Sequence, residues 1–369
     1  MALLAATLAA CSGLPLGPAP TLGPRDGCDL STTERTELAA RVTAGLARET
    51  ATDRFRDLRA VLVNLCGVPL VERYVASSPE NHHNVASVTA SVVSALAGIA
   101  IQDGLIRSVD QTVAELLPEQ RAAMSPAVAA LTLRQLLTMT AGLDVDRDDQ
   151  PSPWELTSTE VSSILESGIR QAPGYFGYSG ANAHLVAAIV ARAGGRPLVE
   201  YAREKLFEPL RIQTTPAEQP LLDRGQTPAG FDASGFAWPV DHQGVNRGDG
   251  WLRLTPADLL SLGQLYLDNG RAGGRQVVPT EWVRESTTQQ VRTNAGPYGE
   301  GYGYLWWVTT AAGAPAYTAA GFGGQLVEVV PSRHLVAVFV TELSAGQVVR
   351  VDARAYADLV SRVVAPNLP

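Results

Sequence analysis

The sequence predicts an α/β (α+β) fold: one antiparallel sheet assembled from both ends of the chain, flanked by N- and C-terminal helices, with an all-helical subdomain inserted between its halves. Three observations carry this. The chain opens on a capped helix followed by a hairpin pattern, it closes on β-rich runs and an amphipathic helix, and the stretch between is a series of helix-like segments broken by Pro and Gly. Its 369 residues suffice for about two domain-sized units, and 46% hydrophobic against 18% charged residues suits a globular chain with a sizeable core.

Taken in order, Ser31-Thr32-Thr33-Glu34 reads as a capping box that opens a helix running to about residue 50. Residues 59–65 (RAVLVNL) and 69–75 (PLVERYV), separated by Cys66-Gly67-Val68, form a hairpin pattern. From Val85 to Ile101 there is no charge, and the run is shorter than the roughly 20 residues a membrane span takes, so it predicts a buried core helix. Helical segments follow at 109–116, 126–140, 158–169, 181–194 and 197–207, and a further helix at 256–269. The runs 304–310, 325–330 and 335–341 predict strands, the last so continuously apolar that both of its faces should be covered. Tyr356, Leu359, Val360, Val363 and Val364 then place a helix over 351–365. The sheet subdomain is accordingly 31–106 with 246–369, and the helical subdomain is 107–245.

The first eleven residues, MALLAATLAAC, are apolar and end in small residues, as a secretory signal does, and Leu8-Ala9-Ala10-Cys11 resembles the bacterial lipobox. Segment 1–11 is thus expected to be a lipoprotein signal with Cys11 as the lipidated residue. Residues 12–30, rich in Pro and Gly, would be a tether to the domain. The implied location is the cell envelope, extracytoplasmic and anchored to the membrane through the lipid. Cys28 and Cys66 are then an even pair, open to two readings: a disulfide, or two buried thiols. The cysteine spacings and the His82-His83 pair do not make a metal site. A net charge of -8, with pI near 5.2 and no basic stripe, argues against a nucleic-acid partner. Lys205 is the only lysine among 29 Lys and Arg residues.

Six ordered blocks are similar to the penicillin-binding-protein-like serine hydrolases, the superfamily of class C β-lactamases, D-alanyl-D-alanine peptidases, related esterases and 6-aminohexanoate-dimer hydrolases. They are HNVASVTASVVSALAGIAIQDGLI (83–106), LTLRQLLTMTAGL (131–143), YSGANAHLVAAIV (178–190), YAREKLFEPL (201–210), GDGWLRLTPADLLSLGQLYLDNG (248–270) and AAGFGGQLVEVVP (319–331). The resemblance implies the serine β-lactamase/DD-peptidase-like fold, no cofactor and no metal, and acyl transfer to Ser87 with Tyr178 as the matching base. It also implies an oxyanion hole from the backbone amides of Ser87 and Phe322, and a substrate cleft at Ala90, Gly180, Gly321 and Gly323. The partner would be a small-molecule ester or amide, or a ligand derived from the cell wall.

Three positions depart from that pattern. The Ser-x-x-Lys motif reads Ser87-Val88-Thr89-Ala90, so the cation one helical turn from the serine is missing. The Tyr-x-Asn motif reads Tyr178-Ser179-Gly180, with Tyr175 as a second tyrosine nearby, and glycine donates no side-chain hydrogen bond. A free tyrosine titrates near pH ~10, so it makes a weak base unless a neighbouring cation assists it. The Lys-Thr-Gly motif reads Ala319-Ala320-Gly321, which removes the cation that would hold a substrate carboxylate and points away from penicillins. Two functions therefore compete: a weak serine hydrolase acylated at Ser87, and a catalytically inactive pseudoenzyme that keeps the cleft for a ligand or a protein. Ser87 also has a purely structural reading, since serine is a common N-cap. A third possibility, an α/β-hydrolase elbow at Gly177-Tyr178-Ser179-Gly180-Ala181 with His242 or His334, lacks the strand that must precede it. His82 and His83, just before Ser87, would be assisting bases if they faced the site, although adjacent loop histidines are expected to be solvated.

Overall fold

The computed structural model describes residues 28–145, 152–293, 300–311, 313–344 and 348–368; Cys11 and most of the tether lie outside them. Helix α1 (Thr32–Glu49) opens on the capping box of Ser31 and Glu34. Strands β1 (Leu58–Leu65) and β2 (Val68–Tyr74) form the hairpin, and a disulfide joins Cys28 to Cys66 at its turn, which resolves the open question of that pair.

Six further strands come from the other end of the chain: β3 (Val291–Arg292), β4 (Gly301–Tyr302), β5 (Trp307–Ala311), β6 (Ala314–Gly321), β7 (Gln325–Val330) and β8 (Leu335–Thr341). The sheet order is β2-β1-β8-β7-β6-β5-β4-β3, and every pair is antiparallel. The N-terminal hairpin is thus added to the edge of a C-terminal meander, and β8 pairs with β1 across the whole sequence. Both faces of β8 are buried, as its apolar run demands.

Helices cover the two faces. Helix α2 (Val88–Gln102) is buried from Val88 to Ala100. Its Ser and Thr residues are explained by bonds out of the helix: Ser91 Oγ donates to Leu305 O at 2.7 Å and Ser94 Oγ to Tyr304 O at 2.6 Å. Buried hydroxyls that find carbonyls in this way cost little and lock the helix to the segment before β5. Helix α3 (Gly180–Gly194) is the long helix of the insertion and packs on α2. Helix α4 (Pro256–Leu267) presses on the sheet at Gly263, where an added Cβ would stand 2.5 Å from Val336 and 2.9 Å from Val327. On the opposite face lies α5 (Ala353–Leu359), whose Tyr356 stacks on Phe339 at 4.7 Å. There α1 meets the C-terminal segment so closely that a Cβ at Gly45 would be 2.6 Å from Val363.

Several elements differ from the sequence reading. The strand expected from 304 starts only at Trp307, because Leu305 has φ +58°, an extended strand's opposite. The C-terminal helix is α-helical only to Leu359 and continues as a π turn over Val360–Val364. Within 107–245, the run of helices ends at Phe207; beyond it the chain is loop, with one 3-10 turn at Phe231–Ala233, held by bridges such as Glu218 with Ala237 and Leu221 with Val240. Among the described residues, no helix is long and apolar enough to cross a membrane.

Candidate active site

Ser87 stands at the start of α2 with φ -69° and ψ -2° and makes no side-chain cap bond to its own helix. This separates the two readings of the serine: the hydroxyl is not used as an N-cap. The turn that delivers it is unusual. Ala86 has φ +46°, a left-handed conformation that costs a non-glycine residue about 1–2 kcal/mol. Two side chains hold it there: Ala86 N donates to Asn84 Oδ1 at 2.9 Å, and Thr89 Oγ1 donates to Ala86 O at 2.7 Å. Thr89 Oγ1 in turn accepts from Leu252 N at 3.3 Å, and Val85 N donates to Leu252 O at 2.9 Å. The loop before Ser87 is thereby strapped to the loop at 248–252.

On its other side the same loop meets the end of β6. A Cβ at Gly321 would lie 2.6 Å from Val85 O and 3.1 Å from Ala86 Cβ, so only glycine lets the strand come this close. Beyond it, Phe322, Gly323 and Gly324 make the tight turn into β7, with φ +74° and +91° at the two glycines and Phe322 67% exposed. Ala319 and Ala320 are buried within the strand. Ala90, one turn along α2 from Ser87, is 2% exposed.

Tyr178 lies just before α3 and is 42% exposed. Its ring stacks on Trp307 at 5.8 Å with a 14° interplanar angle and meets Tyr302 edge-on at 6.4 Å. Tyr175 is more exposed and Phe176 packs on Tyr302 and Trp307, which favours Tyr178 over Tyr175 as the ordered tyrosine of the pair. The first turn of α3 is linked to the Ser87 loop through the segment from Asp249 to Leu252. A Cβ at Gly180 would be 3.1 Å from Asp249 Cβ, and one at Gly250 would be 3.7 Å from the Ala86 backbone.

Asp249 belongs to a buried charge cluster that the sequence reading did not find. Arg247, fully buried, donates to Asp249 Oδ1 and Oδ2 at 2.8 Å each and to Glu155 Oε1 at 2.8 Å, and lies over Trp154 at 4.6 Å. Burial works to raise the Asp249 carboxyl, but the Arg247 charge and hydrogen bonds outweigh it and hold the group below its ordinary range. Glu155 moves the other way, raised by burial and by the Asp249 charge. Next to it, His184 and Asp241 share a hydrogen bond at 3.0 Å, both wholly buried. The signal in the sequence was Arg247-Gly248-Asp249-Gly250, two opposite charges spaced by glycines. Gly248 is required because a Cβ there would be 2.3 Å from Ala183 O.

The histidines correct one expectation. His83 is buried rather than solvated, its Nε2 3.2 Å from Ser77 Oγ, and burial lowers its pKa to about 4, so it stays neutral. His242 pairs with Glu160 at 2.7 Å and His334 sits in the left-handed turn before β8. Ser179 is a buried residue at the start of α3 with no strand before it, which removes the α/β-hydrolase elbow.

The antiparallel sheet, with the loop before Ser87 held against the end of β6, is the arrangement expected of a serine-hydrolase-type fold. The sequence profile of the Beta-lactamase family matches residues 40–361, and the chain belongs to that family, within the penicillin-binding-protein-like serine hydrolases. A 6-aminohexanoate-dimer hydrolase of Paenarthrobacter ureafaciens is 28% identical over 289 residues, 71% of this chain; the chain spans 65% of that relative's length. The fold is shared with a penicillin-binding protein homolog from Caulobacter crescentus (TM-score 0.69, 17% identity, 90% of this chain and 98% of that one). It is shared too with a class C β-lactamase from Rhodobacter sphaeroides (TM-score 0.62, 19% identity, 89% and 100%).

Proposed function

We propose that the protein is a weak acyl-transferring serine hydrolase of small neutral esters or amides. In this reading Ser87 Oγ attacks the carbonyl carbon, its proton passes through Tyr178 or a water to the leaving oxygen or nitrogen, and a water then releases the acyl group from Ser87. The backbone amides of Ser87 and Phe322 hold the oxyanion, and the cleft is bordered by Gly180, Gly321 and Gly323. The observation that carries it is Ser87 at a helix start behind the strained Ala86, with its hydroxyl not used as a cap. Strain of this kind is frequent at active sites. Oxyanion stabilisation and binding alone retain about 10³- to 10⁴-fold over water when a catalytic partner is lost, so slow turnover is physically sound with alanine at 90. The amide link of a 6-aminohexanoate dimer, the substrate in the relative's name, suits the amide side of the proposal.

A second reading has its own observation: Lys205, the only lysine, is held in ion pairs with Asp103 and Glu204. On that reading the protein is an inactive relative that binds a ligand or a protein in the cleft. Labelling with a fluorophosphonate probe decides between them. Labelling lost in Ser87→Ala supports the hydrolase, and an unlabelled parent supports the binding protein.

We further propose that the protein is extracytoplasmic and lipid-anchored at Cys11. The Cys28–Cys66 disulfide supports this, because such bonds persist in oxidising compartments. A Cys11→Ser variant should leave the membrane fraction; unchanged fractionation with no fatty-acid labelling of the parent would contradict it.

A further inference from the structure

The residue two places after Tyr178 is glycine, and the space its side chain would fill is already occupied. A Cβ at Gly180 would meet Asp249 Cβ at 3.1 Å and Asp249 Oδ2 at 3.6 Å. Arg247 grips that carboxylate through both oxygens, and the guanidinium is itself fixed by Glu155 and Trp154. Further along the same segment, Leu252 is bonded to Val85 and Thr89. One strip of chain therefore meets the helix start behind Tyr178 at one end and the loop behind Ser87 at the other. Three buried polar atoms in this corner, Ser179 Oγ, Asn182 Oδ1 and Arg247 Nη1, have no hydrogen-bond partner.

We infer that Asp249 is a positioning residue. It supplies from the 247–250 loop the side chain that α3 lacks at position 180, and so fixes Tyr178 and Ser87 relative to each other. The inference rests on Ser87 being the nucleophile. A carboxylate suits the place because it lies beside the positive end of α3. Its loss leaves Arg247 with Glu155 as a partner but takes the acceptor from Nε, so every rate is read beside a thermal melt.

The test uses the full chain and compares the parent, Asp249→Gly, Asp249→Asn and the double variant Asp249→Gly/Gly180→Asn. The readouts are the rate of fluorophosphonate acylation mapped to Ser87, kcat and KM for p-nitrophenyl acetate, and thermal melting. In Asp249→Gly, acylation and kcat should fall about tenfold or more while KM holds, since misplacement by about 1 Å costs up to ~10²-fold. The double variant should recover most of that loss, because a polar side chain now enters the vacated space from the helix. A role in stability alone would lower the melting temperature without that recovery. A folded Asp249→Gly protein that acylates at the parent's rate, or a double variant no faster than the single one, overturns the inference. If Asp249→Gly does not fold, Asp249→Asn decides: a loss of at least about threefold supports the inference and no loss overturns it. A parent unlabelled at Ser87 overturns the nucleophile assignment instead, so the two failures are told apart.

Discussion

Lys205 Nζ lies 2.9 Å from Asp103, the residue that closes the far end of the helix whose first turn carries Ser87. The two ends of that helix are about 24 Å apart at ~1.5 Å of rise per residue. The only lysine of the chain thus serves an ion pair at the far end of α2, and on the proposed hydrolase reading Ser87 would shed its proton without a lysine amine.

Restoring the amine gives the first prediction. Ala90→Lys places an ammonium one turn from Ser87, and ester hydrolysis or probe labelling should rise at least about tenfold, roughly 1.4 kcal/mol of barrier. Because Ala90 is buried, a thermal melt must first show that the variant folds. A folded variant no faster than the parent would contradict the assignment of position 90.

Gly321→Ala tests the contact between β6 and the serine loop. Its Cβ would be driven to 2.6 Å from Val85 O, a backbone atom that has no rotamer by which to yield. The variant should lose about 1–3 kcal/mol of stability by denaturant melting and label at Ser87 at least severalfold more slowly. A neutral substitution would show that the two segments are not tightly packed.

These two positions also show what the sequence disclosed and what it withheld. The hairpin, the buried helix and strands β7 and β8 were legible because capping residues and apolar runs are local signals. Strand β6 was not legible from periodicity: Ala314-Pro315-Ala316-Tyr317-Thr318-Ala319-Ala320-Gly321 has few β-branched residues and no alternation, and only the resemblance put its end on a strand. It is a strand because β5 and β7 flank it. Ser87, Tyr178 and Gly321 are candidates that the family resemblance supplies. Asp249 was missed because burial of the Arg247–Asp249 pair, its link to Glu155 and the close approach to Gly180 are all tertiary. The stacking of Tyr178 on Trp307 joins residues far apart in sequence and left no trace in either segment.

Glu328 gives a prediction in pH. It sits in β7 between Thr318 and Ala337, is fully buried with Oε2 unpartnered, and burial together with the nearby Asp358 pushes its pKa up to about 8. The unfolded carboxyl titrates near 4.5. Between those values the unfolded chain is ionised and the folded one is protonated. Stability contributed by this group is therefore complete below about pH 4.5 and falls by about 1.4 kcal/mol per pH unit up to about pH 8. Glu328→Gln should remove this decline, so urea midpoints at pH 5 and pH 8 should differ less in the variant than in the parent. An identical pH dependence in both would contradict it.

Substrate preference follows from Ala90 and Ala319, neither of which supplies a cation for the nucleophile or for a substrate carboxylate. Short p-nitrophenyl esters should be turned over faster than any penicillin or cephalosporin. Faster β-lactam turnover than ester turnover would show that another group holds the carboxylate.

The central claim, that Ser87 carries the acyl group, is tested most directly by mass spectrometry of protein quenched during turnover of a p-nitrophenyl ester. The account predicts a mass increase of one acyl group, located on the peptide containing Ser87 and absent from Ser87→Ala. Ester turnover with no adduct on that peptide, and with full activity in Ser87→Ala, would contradict it.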